Sequence, residues 1–218
     1  MIQLGNYWMY WKQKEILEDT VVIYTSDQGM FLGEHDYQDK RWSFEESLRT
    51  PLLIRYPREI PAHTNCTELM ANIDIAPTLL DYAEISIPEN MQGISCRNMI
   101  AGKPQEEYHK GIYFRYWMHL AHQHDNPAHY GVRTKDYKLT FYYGLALDAE
   151  GAVDKPTQPG WELYDLQKDP SELKNVYEDP AYYEIREELK GLLCELKEKY
   201  QDQDEAYVEL QRTFEKYK

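Results

Sequence analysis

The first candidates for chemistry are two oxygen-bearing side chains that follow a strand-like run. Residues 21–25 read Val-Val-Ile-Tyr-Thr, and Asp27 and Gln28 come shortly after them. Open α/β sheets bind their ligands at the carboxyl ends of buried strands. Carboxylate and amide oxygens are the ligands that hard cations such as Ca²⁺ prefer. Asp27 and Gln28 are therefore candidate metal ligands, although two donors do not complete a site.

An imidazole and a cationic pair lie further along the same stretch. His35 could donate a hydrogen bond or shuttle a proton near neutral pH. Lys40 offers a positive charge for an anionic group. Residue type alone leaves simpler alternatives open, because the two oxygen donors could cap a turn and Lys40 and Arg41 could form a solvated pair beside Asp39.

The elements around these residues predict the end of an α/β domain. Apolar residues recur at helical spacing through 3–18, and the β-branched run 21–25 is typical of a strand buried on both faces of a parallel sheet. A capping-box pattern predicts a short helix that begins near Ser43. Residues 51–56 predict another strand and residues 72–83 another helix.

The second half of the chain has a different pattern. Aromatic strands separated by turn residues predict an antiparallel sheet with one wetter face. The predicted strands are 111–117, 130–133, 137–143 and 161–165. An apolar stripe predicts a covering helix over 180–199, and the charged tail after 200 is expected to fray. We therefore expect an α/β fold class, with an α/β portion over 1–105 and a small antiparallel α+β subdomain over 106–218.

Composition excludes several classes of partner. Acidic residues outnumber basic ones 38 to 24, which argues against nucleic acid because phosphate binding needs a basic surface. No apolar run approaches the roughly 18–20 residues of a membrane span. The three cysteines lie far apart and form no Cys-x-x-Cys pair, which disfavours a zinc ribbon or a thiol redox motif.

The run TSDQGMFLGEHDYQDKRWSFEESLRTPLLIRYP, residues 25–57, resembles the sulfatase family of the alkaline-phosphatase-like superfold. Four further segments resemble sulfatase motifs in the same order, namely 74–81, 91–95, 131–139 and 162–175. One departure is Asp36, which stands where the family usually has glycine after the histidine. The resemblance runs through nearly the whole chain and implies the C-terminal part of a sulfatase.

The resemblance also implies roles at the predicted metal and sulfate sites. Asp27 and Gln28 would be two of the Ca²⁺ ligands, and the Ca²⁺ site would be incomplete within this chain. Lys40 would contact a sulfate oxygen, and His35 is the second catalytic candidate.

The form Asp-Lys-Arg-Trp resembles the branch that acts on 6-sulfated N-acetylglucosamine in heparan-type and mucin-type glycans. Asp39 and Arg41 would then contact the sugar. Four histidines between 119 and 129 could form a transition-metal site or an ordinary polar loop. The resemblance favours a loop over the substrate cleft, with His129 as a sugar contact.

The expected nucleophile is not encoded in these 218 residues. Sulfatases mature a Cys- or Ser-x-Pro-x-Arg motif to formylglycine, and neither form of the motif occurs in this sequence. We therefore expect a truncated product or fragment that cannot hydrolyse sulfate esters alone. It could need a complementing N-terminal half or associate with itself. The family is often periplasmic or secreted.

Two other functions remain open on the sequence. One is a phosphodiesterase or phosphonate hydrolase of the same superfold, which often has histidine where this chain has Gln28. The other is a non-catalytic remnant that serves as an interaction module.

Overall fold

The computed structural model describes residues 2–105, 108–202 and 204–218. The α-helices are α1 (Ile2–Gln13), α2 (Glu45–Leu48), α3 (Ile75–Tyr82), α4 (Arg97–Ile100), α5 (Tyr183–Lys199) and α6 (Val208–Tyr217). The strands are β1 (Val22–Thr25), β2 (Phe31–Leu32), β3 (Gln38–Asp39), β4 (Leu52–Arg55), β5 (Ile112–Tyr116), β6 (His129–Arg133), β7 (Tyr137–Tyr142) and β8 (Gly160–Asp165). No helix among these residues is long and apolar enough to cross a membrane.

The residues group into two compact units. The first unit comprises the described residues up to Gly29 and from Arg49 to Tyr108. The second comprises Met30–Leu48 and the described residues from His109 onward. The segment 30–48 thus packs within the second unit. The sequence analysis instead assigns it to the α/β portion 1–105.

The strand pair of the first unit corrects one prediction. The run 21–25 predicted a strand buried on both faces of a parallel sheet, but β1 pairs with β4 in antiparallel orientation, from Val22↔Arg55 to Thr25↔Leu52. Tyr24 is 56% exposed. A continuous apolar run indicates a strand with two apolar faces, but it does not specify the partner strand or what covers each face.

Two of the motif segments, 74–81 and 91–95, pack together in the first unit. The fully buried Asp74 carboxylate accepts hydrogen bonds from the backbone N–H of Ala71 at 2.7 Å and of Ile94 at 2.9 Å. A Cβ on Gly93 would lie 2.1 Å from the Ile73 carbonyl oxygen, so only glycine fits this close approach. These contacts order the loop that follows α3.

The second unit is built on an antiparallel sheet, as predicted, and the strand order of this sheet is β5-β6-β7-β8. One face of the sheet is apolar and carries the fully buried Val132, Leu139 and Leu163. Helices α5 and α6 cover this face, with Leu193 and Leu210 fully buried in the same core. The prediction that the tail after residue 200 frays is therefore wrong, because burial of apolar side chains of α6 such as Leu210 stabilises this helix.

The opposite face of the sheet is polar and is covered by the segment 30–48. The Ser43 hydroxyl lies 2.9 Å from the Tyr142 hydroxyl and accepts a hydrogen bond from Thr140 at 3.1 Å. Phe31 and Phe44 are buried in a small cluster with Tyr164. The strand alternation of β7 therefore directs its odd-numbered residues to the helices and its even-numbered residues to this segment.

Candidate functional site

A buried ionic cluster joins the segment 30–48 to the polar face of the sheet. The Lys138 ammonium is fully buried and lies 2.7 Å from Glu172 Oε1 and 3.1 Å from Glu45 Oε1. Arg133 contacts the same Glu45 carboxylate through Nη2 at 3.0 Å and Nε at 3.3 Å. Glu172 also accepts a hydrogen bond from the backbone N–H of Glu45 at 2.7 Å. The cluster therefore anchors the start of α2, just after the candidate site residues.

The two carboxylates of this cluster respond differently to burial. Burial opposes ionisation of Glu45, but Lys138 and Arg133 outweigh it and lower its pKa. Burial raises the pKa of Glu172 despite the nearby Lys138. Two cations, Lys138 and Arg133, face Glu45, whereas Lys138 faces Glu172. Because opposite charges favour the ionised form, the two cations together are enough to lower the pKa of Glu45.

The backbone of the segment 30–48 adopts left-handed conformations at several non-glycine residues. His35 has φ 54° and Asp36 has φ 60°. Asp36 stands where the resemblance to sulfatases predicts glycine, and aspartate is one of the few side chains that adopt this conformation readily. Its positive φ is one that glycine also adopts at little cost. Asp39 (φ 75°) and Arg41 (φ 131°) also have positive φ, and such strain is typical of functional sites.

Lys40 and Arg41 line a pocket in the second unit. Its volume is about 360 Å³, and its walls are the segment 37–42, apart from Asp39, and the loop 123–126. The rings of Tyr37 and Trp42 stack at 5.1 Å within the first wall. A concave site that combines aromatic faces, cations and amides has the chemistry to bind a polar ring that bears an anionic group.

Asp39 links the two walls of this pocket. Its Oδ2 atom lies 3.2 Å from Arg41 Nε and 3.5 Å from His124 Nε2. The neighbouring Tyr116 and Asp39 raise the pKa of Arg41, so the guanidinium stays charged. Of the residues proposed from the sequence, Lys40 and Arg41 therefore line the pocket, and Asp39 contacts Arg41 and His124 behind them.

The two other predicted histidines lie away from the pocket walls. His129 begins β6, is 1% exposed, and lies between the rings of Tyr116 and Tyr142 at 5.4 and 4.9 Å. Burial lowers the pKa of His129 to about 4, so its ring is neutral. His35 stacks on Phe44 at 4.0 Å, and its Nε2 lies 3.6 Å from Glu46 Oε2. Their substrate and catalytic roles stay predictions.

The candidate calcium ligands, Asp27 and Gln28, belong to the first unit. Asp27 is exposed, and the Ser26 hydroxyl donates to its Oδ1 at 3.2 Å and to the Gln28 carbonyl oxygen at 2.9 Å. Both side chains carry the oxygen atoms that Ca²⁺ prefers. Among the described residues no group of three or more histidine, cysteine, aspartate or glutamate side chains converges. Asp27 and Gln28 thus fit a calcium ion only as part of a larger ligand set.

The histidine-rich loop is organised by a residue that the sequence did not single out for a structural role. His119 is fully buried, its Nδ1 accepts from the Ala128 N–H at 3.1 Å, and its Nε2 lies 3.1 Å from the Lys155 carbonyl oxygen. His122 is exposed, whereas His124 lines the pocket. The histidines of this segment therefore differ in their contacts within one folded loop, and their spacing in the sequence does not reveal these differences.

Residues 33–199 match the family model described as N-sulphoglucosamine sulphohydrolase, C-terminal. This match covers most of the chain. The chain belongs to the sulfatase family. Its fold is the C-terminal part of the alkaline-phosphatase-like sulfatase fold, and this part includes the antiparallel sheet β5-β6-β7-β8.

Relatives of this sulfatase chain include an N-acetylglucosamine-6-O-sulfatase of Bacteroides thetaiotaomicron, 37% identical over 92% of this chain and 34% of the relative. The solved protein BT4656, in complex with its substrate D-glucosamine-2-N,6-O-disulfate, is 36% identical with a TM-score of 0.82 and covers 94% of this chain. This chain spans only 39% of that protein's length. A phosphonate monoester hydrolase of Agrobacterium radiobacter shares the fold. It is 23% identical with a TM-score of 0.70, and the match covers 90% of this chain and 38% of the hydrolase chain.

Proposed function

We propose that this chain supplies the sugar pocket, the sulfate-binding lysine and two calcium ligands of a sulfatase that hydrolyses 6-O-sulfate esters of N-acetylglucosamine in glycans. The observation that carries the proposal is the position of Lys40 and Arg41 on the wall of one pocket, beside the stacked Tyr37 and Trp42. The names of the similar proteins, one an N-acetylglucosamine-6-O-sulfatase and one bound to a 6-O-sulfated glucosamine, support the choice of substrate.

Each side chain has a distinct task in this proposal. Lys40 neutralises the sulfate oxygens, on which negative charge resides throughout the reaction. Arg41, held by Asp39, donates hydrogen bonds to the sugar, and the aromatic pair excludes water from one side of the ring. Asp27 and Gln28 would supply oxygen ligands for Ca²⁺, an ion that acts as a Lewis acid when bound.

The nucleophile must come from another polypeptide segment, because these 218 residues contain no Cys- or Ser-x-Pro-x-Arg motif. The first unit has the surface for such a contact. Met9, Tyr10 and Leu53 are 57%, 53% and 67% exposed, and an interface with the missing segment would remove such apolar side chains from water. A complementing N-terminal half is therefore the partner that we propose.

The test is binding of N-acetylglucosamine-6-sulfate to the purified chain, measured by an NMR titration with unsulfated N-acetylglucosamine as the control sugar. We expect the sulfated sugar to bind more tightly, and Lys40→Met to remove most of that difference. Arg212→Met, an exposed site on α6, is the control substitution. No release of sulfate is expected from the chain alone.

Three results would contradict the proposal. The sulfated and unsulfated sugars could bind equally, which would remove the role of Lys40. A phosphonate monoester could bind in preference to both, which would favour the phosphonate hydrolase reading. Binding of none of these compounds would favour a non-catalytic module.

A further inference from the structure

The pocket loop, residues 118–126, contributes the second wall of the pocket and has a strained backbone. Leu120, His122 and Gln123 have positive φ values of 49°, 58° and 64°. Non-glycine residues in this conformation persist only where the surrounding structure holds them. One hydrogen bond inside the loop runs from the Leu120 N–H to the Asn126 carbonyl oxygen at 2.9 Å. The conformation of the loop therefore also depends on the elements that support it from outside.

One external support acts on Trp117, the residue directly before the pocket loop. The Cζ atom of the Arg115 guanidinium lies 3.4 Å from the centre of the Trp117 ring, and the same guanidinium pairs with Asp202. The Tyr207 ring meets the Trp117 ring edge-on, with 5.9 Å between their centres. Asp202 and Tyr207 lie beyond residues 33–199, which match the family model. The C-terminal segment therefore supports the start of the pocket loop.

The other external support is the loop between β7 and β8. The Val153 N–H donates to the His119 carbonyl oxygen at 2.8 Å, and the His119 ring lies 3.1 Å from the Lys155 carbonyl oxygen. The Tyr207 hydroxyl donates a hydrogen bond to Asp148 Oδ1 in this loop at 2.6 Å. Tyr207 thus contacts both supports of the pocket loop, one through its ring and the other through its hydroxyl.

We propose that Tyr207 is a positioning residue of the pocket, which holds the pocket loop in place beside Lys40 and Arg41 before a ligand binds. Tyr207 is suited to this task because it packs against the core of the second unit. A loop that is ordered in advance favours binding, since ordering it during binding costs free energy. The effect on a sulfated sugar rests on the proposed function, whereas the effect on the pocket loop does not.

The effect on the pocket loop is tested by amide hydrogen exchange of the full chain without ligand. The N–H groups of Leu120 and His124 donate hydrogen bonds within the loop, so their exchange rates report its opening. We expect Tyr207→Ala to raise these rates at least roughly tenfold, the equivalent of about 1.4 kcal/mol. Tyr207→Phe keeps the ring and removes one hydrogen bond, so it should raise them only about threefold. Unchanged rates in Tyr207→Ala would overturn the proposal.

The partner of the hydroxyl supplies a second variant. Asp148→Ala removes the same hydrogen bond as Tyr207→Phe and should accelerate exchange to the same extent. The double variant should show no further acceleration, because the two single changes remove one shared interaction. Additive effects of the two changes would show that the contact between Tyr207 and Asp148 does not hold the loop.

Leu163→Ala is the control for a general loss of stability. Leu163 is fully buried in β8, at the opposite edge of the sheet from β5. Its replacement should lower the melting temperature at least as much as Tyr207→Ala does. The loop amides should exchange as in the wild type, because local opening does not follow global unfolding. Equal acceleration of these amides in the two variants would reduce Tyr207 to a purely structural role.

Binding of N-acetylglucosamine-6-sulfate, measured well below the melting temperature of each variant, gives the functional readout. Tyr207→Ala should lower the affinity at least about threefold, because affinity falls with the fraction of molecules that hold the binding conformation. Leu163→Ala should bind like the wild type. Equal affinity of Tyr207→Ala and the wild type would overturn the positioning role and leave the proposed function standing. If the wild-type chain does not bind this sugar, the proposed function fails, and hydrogen exchange alone decides the role of Tyr207.

Discussion

Replacement of Lys138 by methionine removes the cation that two buried carboxylates share. Lys138 is fully buried, and the side chains of Glu45 and Glu172 are 16% and 1% exposed. The substitution keeps most of the side-chain volume but leaves Glu172 without a facing cation in a site that water does not reach. Breaking a buried ion pair by removing one partner costs about 3–5 kcal/mol. We expect a loss of this size in the free energy of unfolding of the second unit.

The assay is urea unfolding at pH 7, followed by tryptophan fluorescence, which includes the buried Trp161 of the same unit. Lys168→Met is the matched control, because the Lys168 side chain is 72% exposed and pairs with Asp165 at 2.9 Å. An exposed pair of this kind contributes about 0–1 kcal/mol. The double variant Lys138→Met/Glu172→Gln should recover part of the loss, since it removes the stranded charge. A Lys138→Met loss no larger than that of Lys168→Met would refute the reasoning.

Two further predictions concern the faces of the same sheet. Burial raises the pKa of Glu162 even though the hydroxyls of Tyr142 and Tyr164 lower it, so the native state binds this proton more tightly than the unfolded state. The contribution of Glu162 to the free energy of unfolding should therefore fall as pH rises above about 4.5. In urea titrations, the free energy of unfolding of Glu162→Gln relative to that of the wild type should be higher at pH 7 than at about pH 4.5. The same relative stability at both pH values would contradict this prediction. On the face of the sheet that the helices cover, Leu210→Ala should lower the free energy of unfolding by about 2–5 kcal/mol, because Leu210 is fully buried. Val208 of the same helix is 57% exposed, so Val208→Ala should change the free energy of unfolding by less than about 0.5 kcal/mol. Equal effects of the two substitutions would show that α6 does not pack in the core.

Local pattern was enough to identify the strands of the second unit and the long helix that covers them. The alternation in Tyr137–Tyr142 has the period of a strand, and the apolar stripe of Tyr183–Lys199 has the period of a helix. Motifs such as 25–57 were enough to indicate the family, since their order along the chain carries information that no single residue does. The same motif contained Lys40 and Arg41, which line the pocket.

Tertiary structure decided which surface each of these elements faces. The alternation of the strand β7 shows that Lys138 and Leu139 point to opposite faces, but not that the segment 30–48 covers one face and α6 the other. The pairing of Lys138 with Glu45 joins residues that are 93 positions apart, and local propensity does not encode a contact of that range.

The roles of the histidines were likewise not predictable from the sequence. His124 lines the pocket, whereas His129 is buried between aromatic rings, although both belong to one histidine-rich segment. Residue types and their order therefore determined the family and the candidate chemistry of this chain. Which side chains are buried, paired or left open to a ligand depends on distant segments that meet only in the folded state.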